Sequence, residues 1–347
     1  MIQRLLRGSL VYWILALIVV ALWTRMGGVR RPSAEAFAQV RTAFQTHEPF
    51  VPDQQQLERG AQQAPLVAGA LWLWFLFIIS LGISGLAVTL HAVWTGRIRL
   101  LWQPAMGRFP PWKLGEVVRI IALLVLMVLL FPYARLAILT IQLSSDANPS
   151  LWIVAPAAVI DVFAIATVIS FARGKGRSVS ELFGLSGDTA WQSIRIGLYS
   201  YVAIIPWVLA LIVLSVMVVR TLHLPVQMEP IQELLFKPGE PWILAMTFVL
   251  ACIIGPLAEE LFFRGVLYPA TRQRMSSGVA MLVNGAVFSL AHTNLIGFLP
   301  ILLLGCLLAN VYEWTSSLAG SMAVHIAHNT LLMSAALLLH QLIIAGQ

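Results

Sequence analysis

Gly255-Pro-Leu-Ala-Glu259-Glu260-Leu-Phe-Phe-Arg264-Gly265 puts two adjacent carboxylates and an arginine inside, or at the end of, an apolar helix. Ionised groups at bilayer depth are costly, so they are paired or they serve a function. Glu260 and Arg264 are four residues apart, share one helix face and can neutralise each other. Glu259 points about 100° away from Glu260 and finds no partner on its own helix. A carboxylate left in that position suits general acid or base work. What the rest of the chain brings to Glu259 therefore decides what the molecule can do.

The composition says where the chain lives. Of its 347 residues, 59% are apolar and only 11% charged, against about 25% charged in a soluble domain. Mean hydropathy is +0.85. These values predict an all-α polytopic integral membrane bundle. The two cysteines, Cys252 and Cys306, lie in apolar runs and offer neither a disulfide framework nor a CxxC metal pair. The net charge of +7 follows the membrane topology, with no basic, aromatic-studded patch for nucleic acid, and no nucleic-acid partner is expected. No internal repeat and no phosphate-binding glycine loop is present, which argues against an ATP-driven transporter.

Apolar runs long enough to cross, at about 20 residues each, fall near 65–90, 117–141, 150–171, 194–219, 242–263 and 318–343. Residues 278–293 and 297–313 are shorter and read as tilted, broken or re-entrant. Residues 9–23 follow Arg4 and Arg7 without a small-x-small cleavage site, so 1–24 reads as an uncleaved signal-anchor span. The expected total is eight to nine spans. Residues 25–64 are polar and read as an extracytoplasmic loop with room for one short helix. Residues 65–172 form additional spans, and 173–343 form the unit that contains Glu259. Arg97, Arg99, Arg108, Lys113, Arg119, Arg173, Lys175 and Arg177 crowd the turns on one side, which puts the N-terminus in the cytoplasm. Arg25, Arg30 and Arg31 dissent at the outer end of the first span. The linker 173–193 carries an apolar edge of Leu182, Phe183 and Leu185, and reads as a connecting loop or an interface-lying piece.

Downstream of Glu259, polar side chains inside apolar runs gather in two places. Phe288 and His292 share a helix face, and so do His325 and Asn329, with His328 beside them. Taken singly, each has a bland explanation. A terminal histidine is often interfacial, and His325 with Asn329 could be helix–helix glue worth about 0.6 kcal/mol per bond. Taken together, a carboxylate, a histidine and a His/Asn pair on three successive elements can activate a water and hold an oxyanion. Asn284 and Asn310 read as glue. One geometric tension remains. If the Glu259 helix ended near 263, that residue would lie close to the inner face, and His292 would lie much deeper. The two meet only if helices tilt, if the short spans are re-entrant, or if the first helix continues past Arg264.

The ordered set Glu259-Glu260-x-x-x-Arg264, Phe288-x-x-x-His292 and His325-x-x-x-Asn329 resembles the three motifs of the CAAX protease and bacteriocin-processing (CPBP) family of intramembrane endopeptidases. The resemblance covers about residues 180–335. It implies that Glu259 and His292 activate a water, that His325 and Asn329 donate to the oxyanion, and that Glu260, Arg264 and Phe288 support them. The charge bias turns the active site toward the cytoplasmic face, and the resemblance implies a membrane-associated peptide or protein as substrate, with the lipid bilayer as the other partner. Members are commonly labelled metalloproteases. Zinc, if bound, would take Glu259, His292 and His325 with water in the fourth place. Asn329 stands where a second same-helix histidine would be needed, and an amide is a poor zinc ligand, so a metal-free glutamate–histidine mechanism is the expectation. Two readings from other classes stay open. A proton-coupled transporter would need paired broken helices in an inverted repeat. A non-catalytic bacteriocin-immunity or scaffold protein would tolerate free substitution of Glu259.

Overall fold

The computed structural model describes residues 54–96, 109–140, 151–223, 241–292 and 295–347, with the side chains of 131–140 and 151–153 outside the description. The expected signal-anchor span 1–24 and most of the loop 25–64 lie outside the described residues. The end of that loop is a short helix, α1 (Gln54–Gln63), which packs on the last turns of the C-terminal helix.

No strand occurs among the described residues. Then come α2 (Pro65–Trp94), α3 (Leu114–Thr140), α4 (Leu151–Arg173), the single turn α5 (Val179–Leu182) and α6 (Gly187–Thr221). A long helix, α7, runs from Pro241 to Arg272. It is followed by α8 (Ser277–Ala291), α9 (Phe298–Thr315) and α10 (Leu318–Ala345). Six of these helices (α2, α4, α6, α7, α9 and α10) are long and apolar enough to cross a membrane, and α8 is a shorter apolar helix. The molecule is an integral membrane protein. Its outer face is apolar, as bilayer solvent requires: Leu66, Trp72, Ile83 and Trp94 of α2 are all exposed.

The innermost element is α9, buried from Leu304 to Glu313 and packed on α6, α8 and α10. Helices α8 and α9 meet without side chains between them. A Cβ added to Gly305 would stand 2.8 Å from the Gly285 Cα. Membrane helices gain contact in this way because lipid offers them no hydrophobic drive to associate.

Two wide turns shape α7. Leu250–Ile254 and Phe263–Leu267 are π-helical, and Gly255–Phe262 lies between them. A π-turn loosens the ordinary i→i−4 ladder and leaves carbonyls for other donors. Side chains supply those donors: Asn329 Nδ2 to Ala251 O at 2.8 Å, Asn284 Nδ2 to Phe263 O at 2.9 Å, and Trp112 Nε1 to Gly265 O at 2.6 Å. Asn284 is glue of a specific kind, holding a π-turn open.

The helix also runs nine residues past the expected end at 263. Arg264 looks like a span terminus only when its charge is counted as free. It is fully buried and paired, so the apolar run continues. Glu259 therefore sits about 20 Å before the Arg272 end, and His292 about 22 Å beyond the Ser277 end of α8. The two ends adjoin, so both side chains reach one depth and the tension in the sequence disappears.

The linker before α6 lies inside the bundle. Leu182 and Phe183 are buried in the cluster that includes Val266, Tyr268 and Leu318. Phe183 O accepts from Leu318 N at 3.0 Å, and Gly184 O accepts from Ser317 Oγ at 2.5 Å. Gly184 has φ +63°, and a Cβ there would come 2.4 Å from Ser316 O. Gly184→Ala is expected to lower the thermal midpoint of the purified protein in detergent. Backbone strain alone costs about 1–2 kcal/mol, and the clash adds to it. An unchanged midpoint would show that this linker is not docked.

Candidate active site

Three helices bring the predicted residues together. Glu259 comes from the segment between the two π-turns of α7, His292 from the C-cap of α8, and His325 and Asn329 from α10. Glu259 Oε2 lies 3.5 Å from His325 Nε2 and 4.0 Å from His292 Nε2. Both gaps exceed an ordinary N–H···O bond. Glu259 is 34% exposed, His292 24% and His325 only 2%. The first two present open surface, and the His325 ring lies behind them with its Nε2 edge toward Glu259.

Beneath them is a chain of buried polar contacts. Arg264 Nη1 meets Glu260 Oε1 at 2.6 Å, with both side chains fully buried. Arg264 Nη2 donates to Gly305 O at 3.1 Å, the carbonyl left accessible by the glycine crossing of α8 and α9. The guanidinium also stacks 4.4 Å from the Phe288 ring centre. Phe288 in turn stands edge-on to His292, His325 and Phe263. It is the wall that both histidines lean on.

The hydrogen bonds fix the two imidazoles. His325 Nδ1 is 3.0 Å from Glu260 Oε1. His292 Nδ1 is 2.9 Å from Phe288 O. A carboxylate and a carbonyl can only accept, so each Nδ1 carries a hydrogen. In both rings it is Nε2 that turns toward Glu259. Glu260 thus does more than satisfy Arg264: it orients a histidine, the arrangement by which buried carboxylates set imidazole tautomers. Asn329 gives one amide N–H to Ala251 O and has a second to offer. His328 Nδ1 meets Tyr201 OH at 2.9 Å, on the α6 side of α10.

One residue of this neighbourhood is absent from the motif reading. Asp161 lies mid-way along α4, half-buried, on the face that packs against Gly255–Phe262. Its carboxyl lies within electrostatic reach of Glu259. The available signal was a carboxylate in the middle of the apolar run 150–171. Nothing local says which way it points, and it lies upstream of the motif set.

Among the described residues, no three His, Cys, Asp or Glu side chains are placed to hold a metal ion. A groove of about 490 Å³ lined by Arg195, Tyr199 and Trp314 belongs to another face, between α6 and α9, and includes none of these residues.

A family model described as type II CAAX prenyl endopeptidase Rce1-like matches residues 241–331. The membrane-embedded CAAX protease MroQ of Staphylococcus aureus (strain USA300) is 30% identical over 140 residues, which are 36% of this chain and 56% of the relative. The match thus spans little more than half the length of that curated relative. No solved structure matches the chain.

Proposed function

We propose, from the membership of residues 241–331 in the CPBP family of intramembrane proteases, that this chain is an endopeptidase. It would hydrolyse a peptide bond of a membrane-associated peptide or protein with a water activated by Glu259 and His292. The observation that carries the reading is the 4.0 Å gap between Glu259 Oε2 and His292 Nε2, two acceptors facing each other. A water donating one hydrogen to each, at about 2.8 Å, spans about 4.4 Å. It would present its lone pair to a scissile carbonyl.

Attack forms the C–O bond, and the water's proton passes to Glu259. The oxyanion takes hydrogen bonds from His325 Nε2–H and from the second N–H of Asn329. Collapse breaks the C–N bond, and Glu259 returns its proton to the leaving amine. For His325 to donate from Nε2 while Nδ1–H is held by Glu260, its ring must carry both protons. That positive charge then lies between the carboxylates of Glu259 and Glu260. With Arg264 the four groups sum to zero, which suits a low-dielectric site.

The site would open toward the cytoplasm. Lys175 pairs with Glu116 and packs on Trp112, so the ends of α3 and α4 meet. The Arg272 end of α7 shares their core cluster. Burial would raise the Glu116 carboxyl, but Lys175 and the Lys113 backbone N–H hold it below its ordinary value. Lys113, Arg173, Lys175, Arg177, Arg272 and Arg274 gather at this end, which the positive-inside bias assigns to the cytoplasm. The partners in this reading are the substrate and the lipid bilayer, with no nucleic acid.

The test is cleavage of quenched, membrane-partitioning peptides, with and without a prenylated CAAX end, by purified protein in detergent. His292→Ala should reduce kcat/KM by about 10²-fold or more, and a zinc chelator should leave wild type unaffected. Loss on chelation with recovery on adding zinc would overturn the metal-free mechanism. Full cleavage by His292→Ala would remove that residue from the reaction.

A further inference from the structure

Helix α6 marks where the membrane begins. Its uncharged run, 196–219, is bounded by Arg195 and Arg220. At 1.5 Å per residue that run spans about 35 Å, a hydrocarbon core crossed with some tilt. Arg195 therefore stands at one headgroup level. Leu182 and Phe183, just ahead of α6, share a core cluster with Val266 and Tyr268. This is the end of the bundle that carries Arg272 and Arg274, which the charge bias assigns to the cytoplasm.

At that level α6 and α9 leave between them the groove of about 490 Å³, lined by Gln192, Arg195, Ile196, Tyr199, Ser200 and Trp314. The first five recur at helical spacing along one face of α6, and Trp314 comes from the last turn of α9. Tyr199 and the neighbouring Trp191 are well exposed. Such amphipathic rings settle at the headgroup level of a bilayer.

The polar groups of the groove have nothing to bond. Arg195 is exposed and, among the described residues, makes no ion pair and no hydrogen bond. Other cations at this end are taken, Lys175 by Glu116 and Arg272 by Glu313. Glu313 precedes Trp314 in the chain but is held by Tyr268 and Arg272. Asp188, two turns nearer the start of α6, does not pair with Arg195. Ser200 lines the groove, is only 5% exposed, and likewise has no hydrogen-bond partner among the described residues. A buried hydroxyl left so is costly unless an occupant of the site accepts from it.

We propose that this groove holds the headgroup of an anionic phospholipid from the cytoplasmic leaflet. The planar fork of Arg195 matches the phosphate oxygens, and Gln192, Tyr199 and Ser200 have N–H and O–H groups to donate to them. Ile196 and the Trp314 ring cover the glycerol and the first methylenes. The volume suits a small ligand and excludes a folded partner. A zwitterionic headgroup would bring its own cation beside Arg195, and an anionic one brings none. Basic pockets between membrane helices on the cytoplasmic side take such lipids. The groove shares no residue with the Glu259 site, so the inference does not depend on hydrolysis.

The experiment titrates phosphatidylglycerol, or phosphatidylcholine with the same acyl chains, into detergent-purified wild type, Arg195→Gln and Arg177→Gln, and counts bound lipids by native mass spectrometry. Arg177 is exposed near the same end and controls for surface charge. Because Arg195 is unpaired, Arg195→Gln should keep the wild-type thermal midpoint without lipid. Wild type should prefer phosphatidylglycerol by about fivefold or more, the effect of one basic side chain at an anionic surface. Arg195→Gln should lose that preference and Arg177→Gln should keep it. Equal losses in the two variants would overturn the proposal in favour of diffuse surface charge. So would a wild type without preference, or an Arg195→Gln variant that retains it. Glycerol phosphate and a soluble acidic peptide are titrated alongside. If either binds as tightly as phosphatidylglycerol and is lost in Arg195→Gln, the groove belongs to a soluble anion or a peptide and not to a lipid.

Discussion

Glu259→Gln is expected to yield a folded, membrane-inserted protein that cleaves about 10²- to 10⁴-fold more slowly than wild type, the span over which general bases contribute. The change keeps the side chain's shape and removes only its ability to take a proton. Glu259 is one-third exposed, and both its contacts with histidine are longer than hydrogen bonds. Little stability depends on it, and the thermal midpoint should stay within about 1 kcal/mol equivalent of wild type, as for other substitutions outside a packed core. The measurement is kcat/KM on the best peptide, with the midpoint and metal content taken from the same preparation. Wild-type cleavage by the variant would dismiss Glu259 as the base. A parallel loss of bound zinc and activity would reassign Glu259 from base to ligand.

The spacing of the first motif announced its own chemistry. Glu260 and Arg264 at i, i+4 were bound to meet, and they do, at 2.6 Å. Glu259, turned off that face, was bound to look elsewhere. The histidines that face it were visible as an inventory but not as contacts, because the order of residues along three helices does not fix their depth. That depth came from the two π-turns and from the extension of α7 to Arg272. Neither is written in the hydrophobic pattern. An i→i+5 turn leaves the same apolar residues in nearly the same places. Arg264 reads as a helix end until its burial is known. Phe183 was legible as apolar but not as buried, since an apolar edge suits a lipid interface and a protein interior equally. Asp161 sits 98 residues before Glu259 in the chain. Only the parallel packing of α4 on α7 joins them. Local spacing therefore carries the pairs within one helix, while the assembly between helices carries the orientation of His325 by Glu260 and the approach of Asp161.

Arg264→Met is expected to be the most destabilising single change in this region. The guanidinium neutralises Glu260, donates to Gly305 O and covers the face of Phe288, all with no exposure. Removing it leaves the Glu260 carboxylate charged and uncompensated in the bundle, which costs about 3–5 kcal/mol in comparable buried pairs. A lysine should not rescue it, because one ammonium cannot reproduce a planar fork that bonds Glu260 and Gly305 while stacking on a ring. The double variant Glu260→Leu with Arg264→Met removes both charges, and replacing a buried pair by apolar side chains is often neutral or stabilising. Its thermal midpoint should recover most of the loss. Its cleavage should not, because leucine cannot accept from His325 Nδ1, and the imidazole loses the contact that turns Nε2 toward Glu259. Stability and activity thereby come apart at one residue. A wild-type midpoint for Arg264→Met would mean that the pair does not hold this bundle together. Recovered cleavage in the double variant would mean that His325 needs no orienting carboxylate.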